Sequence, residues 1–423
     1  MRAVWLSLLL LSLVVLMGTA SADTGQINGA DNAWVLISAA LVLIMIPGVG
    51  LFYGGMVRKK NAISTIIFSF AIMGIISLQW ILIGYTLAFG KDIGGIIGGL
   101  EHLGLNGVGI DVKEGLTIPG LTFMIFQAMF AVITVSLITG SFVERIKFSS
   151  FLIFSLAWAT LVYDPIAHWV WGGGWLAQMG VLDFAGGLVV HISAGVAALA
   201  VALVVGARKG FGTDPMEPHN IPTTVMGAAL LWFGWFGFNA GSALAANGIA
   251  ANAFVTTNTA AAAAATTWMI LSWRHRAPSA LGIVTGAVAG LAAVTPASGF
   301  VTPLAAIPIG VGAAIVGYYS ILFIRGRKKV DDSLDVLACH GMGSTWGVLA
   351  TGFFASIGAS GLFAGNPHQV MVQVIAIVSV WVYSFVVTFG IAKVIDAFMG
   401  IRVREQEESV GLDISQHGEG AYS

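Results

Sequence analysis

The sequence predicts an all-α membrane protein of eleven transmembrane helices arranged as a five-plus-five inverted repeat. Three observations predict it. The 423 residues are 57% hydrophobic and only 9% charged, against about 25% charged in soluble globular chains, so there is too little charge to wet a surface of this size. Eleven apolar stretches are each long enough to cross about 30 Å of hydrocarbon. Lys and Arg collect in alternate connections between those stretches, as they do in multi-pass proteins. The net charge of −1 leaves no basic field for nucleic acid. The single Cys, Cys339, excludes an intrachain disulfide. Neither a metal cluster nor a cofactor is expected, and nothing in the pattern suggests an enzyme.

The elements follow in order. Met1 to Ala22 carries Arg2, an apolar block from Leu6 to Met17 and the end Thr19-Ala20-Ser21-Ala22, which reads as a cleavable signal peptide over 1–22. The expected spans are 32–56, 62–89, 118–142, 149–171, 184–207, 222–244, 252–273, 279–298, 303–324, 335–357 and 369–398. They make a transmembrane domain over 23–398, followed by a cytoplasmic tail over 399–423. Of the 19 Lys and Arg, Arg2 precedes the domain and Lys91 with Lys113 fall on one side; the other 16 fall on the opposite side. Orientation follows: N-terminus outside, C-terminus cytoplasmic, in the cell (inner) membrane.

The repeat shows in two matched spacings. Asp183 precedes His191 by eight residues at the fifth span, and Asp332 precedes His340 by eight at the tenth. Five spans per unit invert the second copy and put a site at the repeat interface. Only these two of the eight histidines lie well inside apolar helices; His102, His219, His275, His368 and His417 are expected in loops or the tail, and His168 near the outer end of the fourth span. Ionisable groups at that depth face a partner or a pathway. His191 shares its face with Gly187, Gly195 and Ala198, and His340 with Ser344 and Gly347, small residues that permit close helix crossing. The two imidazoles either meet on a pseudo-twofold axis as a neutral donor–acceptor pair or bond separately to backbone carbonyls. Asp183 is expected to cap the fifth span, with Asp331, Asp332 and Asp335 as the equivalent device at the tenth.

Trp235, Phe238, Asn239 and Ser242 share an arc of the sixth span, and Phe126 and Phe130 form an i,i+4 pair in the third. Aromatic faces beside a hydroxyl attract a cation by about 0.5–2 kcal/mol, though such stripes also serve packing or an interfacial belt. Trp171, before Gly172-Gly173-Gly174, reads by itself as a belt residue.

Together these motifs resemble the ammonium transporter (Amt/Mep/Rh) family: Phe126-Gln-Ala-Met-Phe130, Val170-Trp171-Gly-Gly-Gly174, Asp183-Phe-Ala-Gly-Gly187 leading to His191, Trp235-Phe-Gly-Phe-Asn-Ala-Gly-Ser242, and Asp332 leading to His340. The tail Gly411 to Tyr422 resembles the Amt branch. The resemblance implies a homotrimer in membrane lipid with one pore per subunit, carrying ammonium or ammonia, with methylammonium as an analogue. Trp171, Phe130 and Ser242 would recruit ammonium; Phe130 and Phe238 would gate the pore; His191 and His340 would line it. Asp183 would support the outer site without touching substrate. Phe126, Trp235, Asn239, Thr295, Thr285 and Asp332 would be pore neighbours. A PII signalling protein would be the cytoplasmic partner.

Two features depart from the family pattern. Phe126 and Phe130 bracket Ala128-Met129 where smaller residues are common. Asp164 stands where apolar residues are usual, with His168 as its expected partner. The competing functions are an ammonium sensor or transceptor, an Rh-type channel for ammonia or carbon dioxide, and a cation-coupled carrier of larger solutes. The Phe-Gln and Trp-Gly-Gly-Gly motifs favour Amt over Rh, and the apolar surroundings of both histidines disfavour the carrier.

Overall fold

The computed structural model describes residues 25–275 and 277–422. The expected signal peptide over 1–22 lies outside the described residues. Hydrocarbon offers backbone groups no partner, so each apolar run closes its hydrogen bonds on itself as a helix. Among the described residues, eight helices are long and apolar enough to cross a membrane. They are α1 (Gly29–Met56), α2 (Lys59–Phe89), α3 (Gly120–Ser141), α4 (Phe148–Gln178, interrupted at 171–174), α5 (Gly187–Val205), α6 (Ile221–Gly241), α9 (Pro303–Arg327) and α11 (His368–Met399). Three further helices fill the remaining positions. α7 (Gly248–His275) is rich in Ala and Thr, α8 (Ala280–Val294) has 15 residues, and α10 runs from Leu337–Met342 into Gly343–Phe354. His275 and His368 are therefore terminal residues of helices rather than loop residues.

Four stretches of these helices open into π turns: Trp80–Gly84, Ala159–Tyr163, Gly187–Ile192 and Leu337–Met342. Gln79 and Asp164 flank the first two, and His191 and His340 lie within the last two. A π turn widens the helix and disturbs its regular ladder, and such turns recur at functional sites. Here they accompany the polar side chains that membrane helices otherwise exclude.

Both histidine helices start by the same device. Asp183 Oδ2 accepts the N–H of Leu188 at 2.8 Å, and Asp332 Oδ2 accepts that of Leu337 at 2.7 Å. In each case the capped residue lies five positions beyond the Asp and three before the His. Asp331 and Asp335 do not share this role, contrary to expectation: Asp331 pairs with Arg208 at 2.8 Å and Asp335 with Arg325 at 2.5 Å. α5 and α10 cross where Gly195 lies directly on the backbone of Gly341. A Cβ at Gly195 would meet that backbone, so this crossing requires glycine.

The tail is folded onto the loops. Arg402 bridges Ile146 and pairs with Glu408 at 2.7 Å. Past the short helix α12 (Glu405–Val410), Asp413 accepts the N–H groups of Ile63 and Ser64 that open α2, at 3.0 and 2.7 Å. Beside it lies a buried charge cluster. Arg145 donates to the carbonyls of Val143, Ser141, Gly206 and Asp331 and to Ser333 Oγ, while Arg208 and Arg58 hold Glu144. Burial opposes the charge on Glu144, but Arg208 and Arg58 outweigh it and hold the carboxyl below its ordinary range. Asp331 is likewise held low: burial works against it, and Arg208 and Arg145 prevail.

Candidate functional site

Trp171, Phe130, Phe238, His191 and His340 follow one another in ring contact through the helix bundle. At one end of this series Trp171, half-buried, donates its indole N–H to the carbonyl of Asp183 at 2.9 Å. The Asp183 carboxylate accepts four backbone N–H groups, from Gly186, Gly187, Leu188 and Val189, at 2.5–3.2 Å. It is thus spent on capping α5. Ser242, at the end of α6, donates to the Phe238 carbonyl at 2.8 Å.

Below them the aromatic rings close. Phe130 stands edge-on to Trp171, with centroids 5.8 Å apart at 89°, and lies over Phe238 at 4.3 Å and 39°. Phe126 packs against Phe130 at 4.9 Å. Phe130 is 1% exposed and Phe238 wholly buried, so the passage is shut at this level.

The histidines lie next in line. The His191 ring stacks on Phe238 at 5.8 Å, on Trp235 at 5.3 Å and on His340 at 5.2 Å. His191 Nδ1 and His340 Nδ1 are 3.2 Å apart, so the two rings bond to each other rather than separately to carbonyls. One hydrogen serves that contact. With each ring neutral, one Nε2 is then a bare acceptor and the other an N–H donor. His191 Nε2 is buried with no hydrogen-bond partner. A cavity of about 10 Å³ touches both rings and is otherwise lined by apolar and aromatic side chains, among them Phe52, Leu137, Leu231 and Val288. It holds about one water-sized molecule, and the imidazoles meet directly. Beyond His340 a larger cavity of about 270 Å³ is lined by Thr285, Cys339, Arg208 and Arg325.

Neighbouring residues hold this series in place. Trp235 donates its indole N–H to Thr295 Oγ1 at 2.9 Å, which donates in turn to the Leu291 carbonyl. Asn239 bonds Thr257 at 2.9 Å and leaves its Oδ1 unpartnered. Asp332 reaches the pore only through the backbone of α10.

Asp164 and His168 do not pair. Asp164 Oδ2 accepts from Gln79 Nε2 at 2.8 Å, whereas His168 bonds the Ala88 carbonyl at 2.9 Å and Asp92 at 2.8 Å. One turn of α4 turns these two side chains toward different neighbours. Sequence reasoning missed the apolar bore residues Phe52, Leu137, Leu231 and Val288, as well as Gly341, Gln79 and Asp92. An apolar residue among apolar residues carries no contrast, but Asp92, a charged residue in the connection after α2, did.

A helical, multi-pass membrane protein with a histidine pair in a small apolar cavity of this kind belongs among the membrane transporters. A model of the Ammonium Transporter Family matches residues 33–422, and the chain belongs to that family. Ammonium transporter Amt1 of Archaeoglobus fulgidus is 54% identical over 399 residues, covering 94% of this chain and 100% of the relative. The ammonium transporter of Bacillus subtilis is 51% identical over 399 residues, covering 93% and 98%. Among solved structures, Candida albicans Mep2 matches with a TM-score of 0.86 at 37% identity, covering 94% of this chain and 91% of that one. A sensor Amt protein matches with a TM-score of 0.86 at 30% identity, covering 92% and 98%.

Proposed function

We propose that this protein takes up ammonium by deprotonating it outside a shut aromatic gate and passing ammonia along the His191–His340 pair. The observation that carries the reading is that pair itself: two imidazoles 3.2 Å apart in a bore of about 10 Å³. Trp171, Phe130 and Ser242 collect the cation, and Phe130 with Phe238 forms the gate. Carrying full charge into the bore costs from about 3 to above 10 kcal/mol. Deprotonation avoids that cost at about 1.4 kcal/mol for each unit between the substrate pKa and ambient pH. Potassium has no such route. The released proton crosses separately through the titratable pair, so transport carries charge.

Around this path we infer eleven spans, with α7, α8 and α10 crossing beside the eight more apolar helices, and the two five-span units related by inversion. The matched Asp-to-His frames of α5 and α10 support the repeat. The distribution of Lys and Arg supports an outside N-terminus and a cytoplasmic tail over 399–423 in the cell membrane. Residues 1–22 act as a signal peptide and 23–398 as the transport domain. Three copies associate in lipid, and the folded tail with its basic loops offers a surface to a PII protein, which a pull-down with and without nucleotide and 2-oxoglutarate tests.

The deciding experiment is ammonium-evoked current and labelled methylammonium uptake in proteoliposomes, wild type beside His191→Ala and His340→Ala. Both variants are expected to assemble and to lose most uptake; normal selective uptake in either would remove the central residues from the mechanism. Uptake without current in the wild type would reject the proton relay. A ligand-induced shape change without uptake would assign the chain to the sensors.

A further inference from the structure

We propose that Asp92 and His168 are positioning residues for ammonium recruitment: a hydrogen-bonded imidazole–carboxyl clamp that fixes the turn carrying Trp171. The inference rests on the reading of Trp171 as part of the outer site. It starts from His168, a wholly buried histidine that the path described above does not use. Its Nδ1 lies 2.9 Å from the Ala88 carbonyl, which can only accept, so Nδ1 carries a hydrogen. Its Nε2 lies 2.8 Å from Asp92 Oδ1. The same carboxyl group also accepts the Gly95 N–H on both oxygens, at 2.8 and 3.1 Å. Both ring nitrogens are therefore engaged, one by the Ala88 carbonyl and the other by the Asp92 carboxyl group. A hydrogen bond to a carboxylate is about twice as strong as one between neutral groups.

The clamp acts on Trp171 through the backbone. The carbonyl of His168 accepts the N–H groups of Gly172 and Gly174 at 3.0 and 2.9 Å, so the turn holding Trp171 winds around His168. Gly172 lies against the Ala88 carbonyl, and a Cβ there would stand 2.6 Å from His168 Nδ1. Ring, carbonyl and turn are thus packed as one unit, joined through Asp92 to the hairpin of β1 (Asp92–Ile93) and β2 (Ile97–Gly98). The Trp171 indole has a second tether in the Asp183 carbonyl. Releasing the clamp therefore loosens the base of Trp171 without freeing the ring, and leaves the histidine pair untouched. The expected consequence is weaker recruitment with unchanged passage.

The hairpin keeps other anchors, from Trp169 Nε1 to the Ile96 carbonyl and from the Trp175 N–H to that of Gly95, so changes at the partly exposed Asp92 spare the fold. Concentration dependence of methylammonium uptake is measured in proteoliposomes of the full chain for Asp92→Ala, Asp92→Asn, His168→Gln, the pair Asp92→Ala/His168→Gln, and Trp171→Leu. KM is expected to rise about three- to tenfold in Asp92→Ala and His168→Gln, with Vmax within about twofold of wild type. Asp92→Asn, whose amide still bonds Nε2, falls between, and the double variant is no worse than the singles. An unchanged KM in Asp92→Ala, or a fall in Vmax alone, overturns the clamp. Trp171→Leu separates the two readings. If it raises KM while Asp92→Ala does not, the clamp fails and the recruitment site stands; if it leaves KM at the wild-type value, the recruitment site fails and the clamp with it.

Discussion

Replacing Gly195 by Ala tests whether the spacing of the two histidines matters apart from their identity. The added Cβ would stand 2.5 Å from Gly341 Cα and 3.1 Å from the carbonyl carbon of His340. Carbon atoms pack at about 3.5–4.0 Å, and both obstacles are backbone, so α5 and α10 must separate by about 1 Å. The His191 and His340 Nδ1 atoms, now 3.2 Å apart, would then stand beyond about 4 Å, outside hydrogen-bond range. Overpacking of this size costs about 1–3 kcal/mol, which lowers the melting temperature of a domain this large by a few degrees without unfolding it. In detergent the variant is expected to elute as wild type does, with a modestly lowered Tm. In proteoliposomes its ammonium current and methylammonium uptake should fall at least about tenfold. Wild-type Vmax alongside a lowered Tm would refute the reasoning, because the helices would have moved while the pair kept working.

Three further outcomes are expected. Asp183→Ala strips the acceptor from four buried N–H groups and should cost on the order of 3–5 kcal/mol by thermal unfolding, with uptake lost; Asp183→Asn, with one acceptor oxygen left, should recover part of both. Gln79→Leu removes the donor to Asp164 and should cost about 1–3 kcal/mol with uptake kept, whereas Gln79→Leu/Asp164→Leu should regain stability; equal Tm values for single and double variants would count against an isolated buried acid. Glu144 and Asp331, held low in the folded protein, contribute stability that is present above their unfolded pKa of about 4 and lost as pH falls through their lower folded values. Tm should therefore hold down to about pH 5 and drop below about pH 4, and in Arg208→Leu, where burial of Glu144 goes less opposed, the drop should start at higher pH.

Much of the fold was legible because apolar length is a direct physical requirement of crossing a membrane. Each stretch expected from the sequence coincides with a helix, including the Ala-rich α7 that composition alone ranks lowest. The histidine pair was legible for the same reason: an ionisable side chain inside an apolar run stands out. What stayed hidden was contrast-free or long-range. The π turns around Gln79, Asp164, His191 and His340 follow from tertiary packing and have no residue signature. Phe52, Leu137, Leu231 and Val288 line the bore but look like any buried apolar residue. Asp164 was paired with His168 by proximity along the chain, yet its donor, Gln79, comes from another helix. The docking of the tail depends on Asp413 meeting the start of α2, some 350 positions away in sequence. The three acids before α10 look alike in sequence, and only the placement of Arg208 and Arg325 separates two ion-paired carboxylates from one helix cap.

The chemistry of the pair also bears on why a cation would be turned away even if it shed its water. A bare cation wants acceptors on all sides. Two neutral imidazoles joined through Nδ1 present one bare Nε2 and one Nε2–H, so half of what they offer opposes positive charge. Ammonia has both N–H donors and a lone pair and can satisfy both positions. The surrounding wall of Phe52, Leu137, Leu231, Trp235 and Phe238 adds little that could solvate charge, and a cavity of about 10 Å³ leaves no room for a hydration shell. Rejection in the proposed mechanism therefore comes from a mismatch in hydrogen-bonding type as well as from desolvation. It requires the pair to be neutral whenever ammonia occupies the bore, so in the proposed mechanism the proton passes through the pair between passages of ammonia.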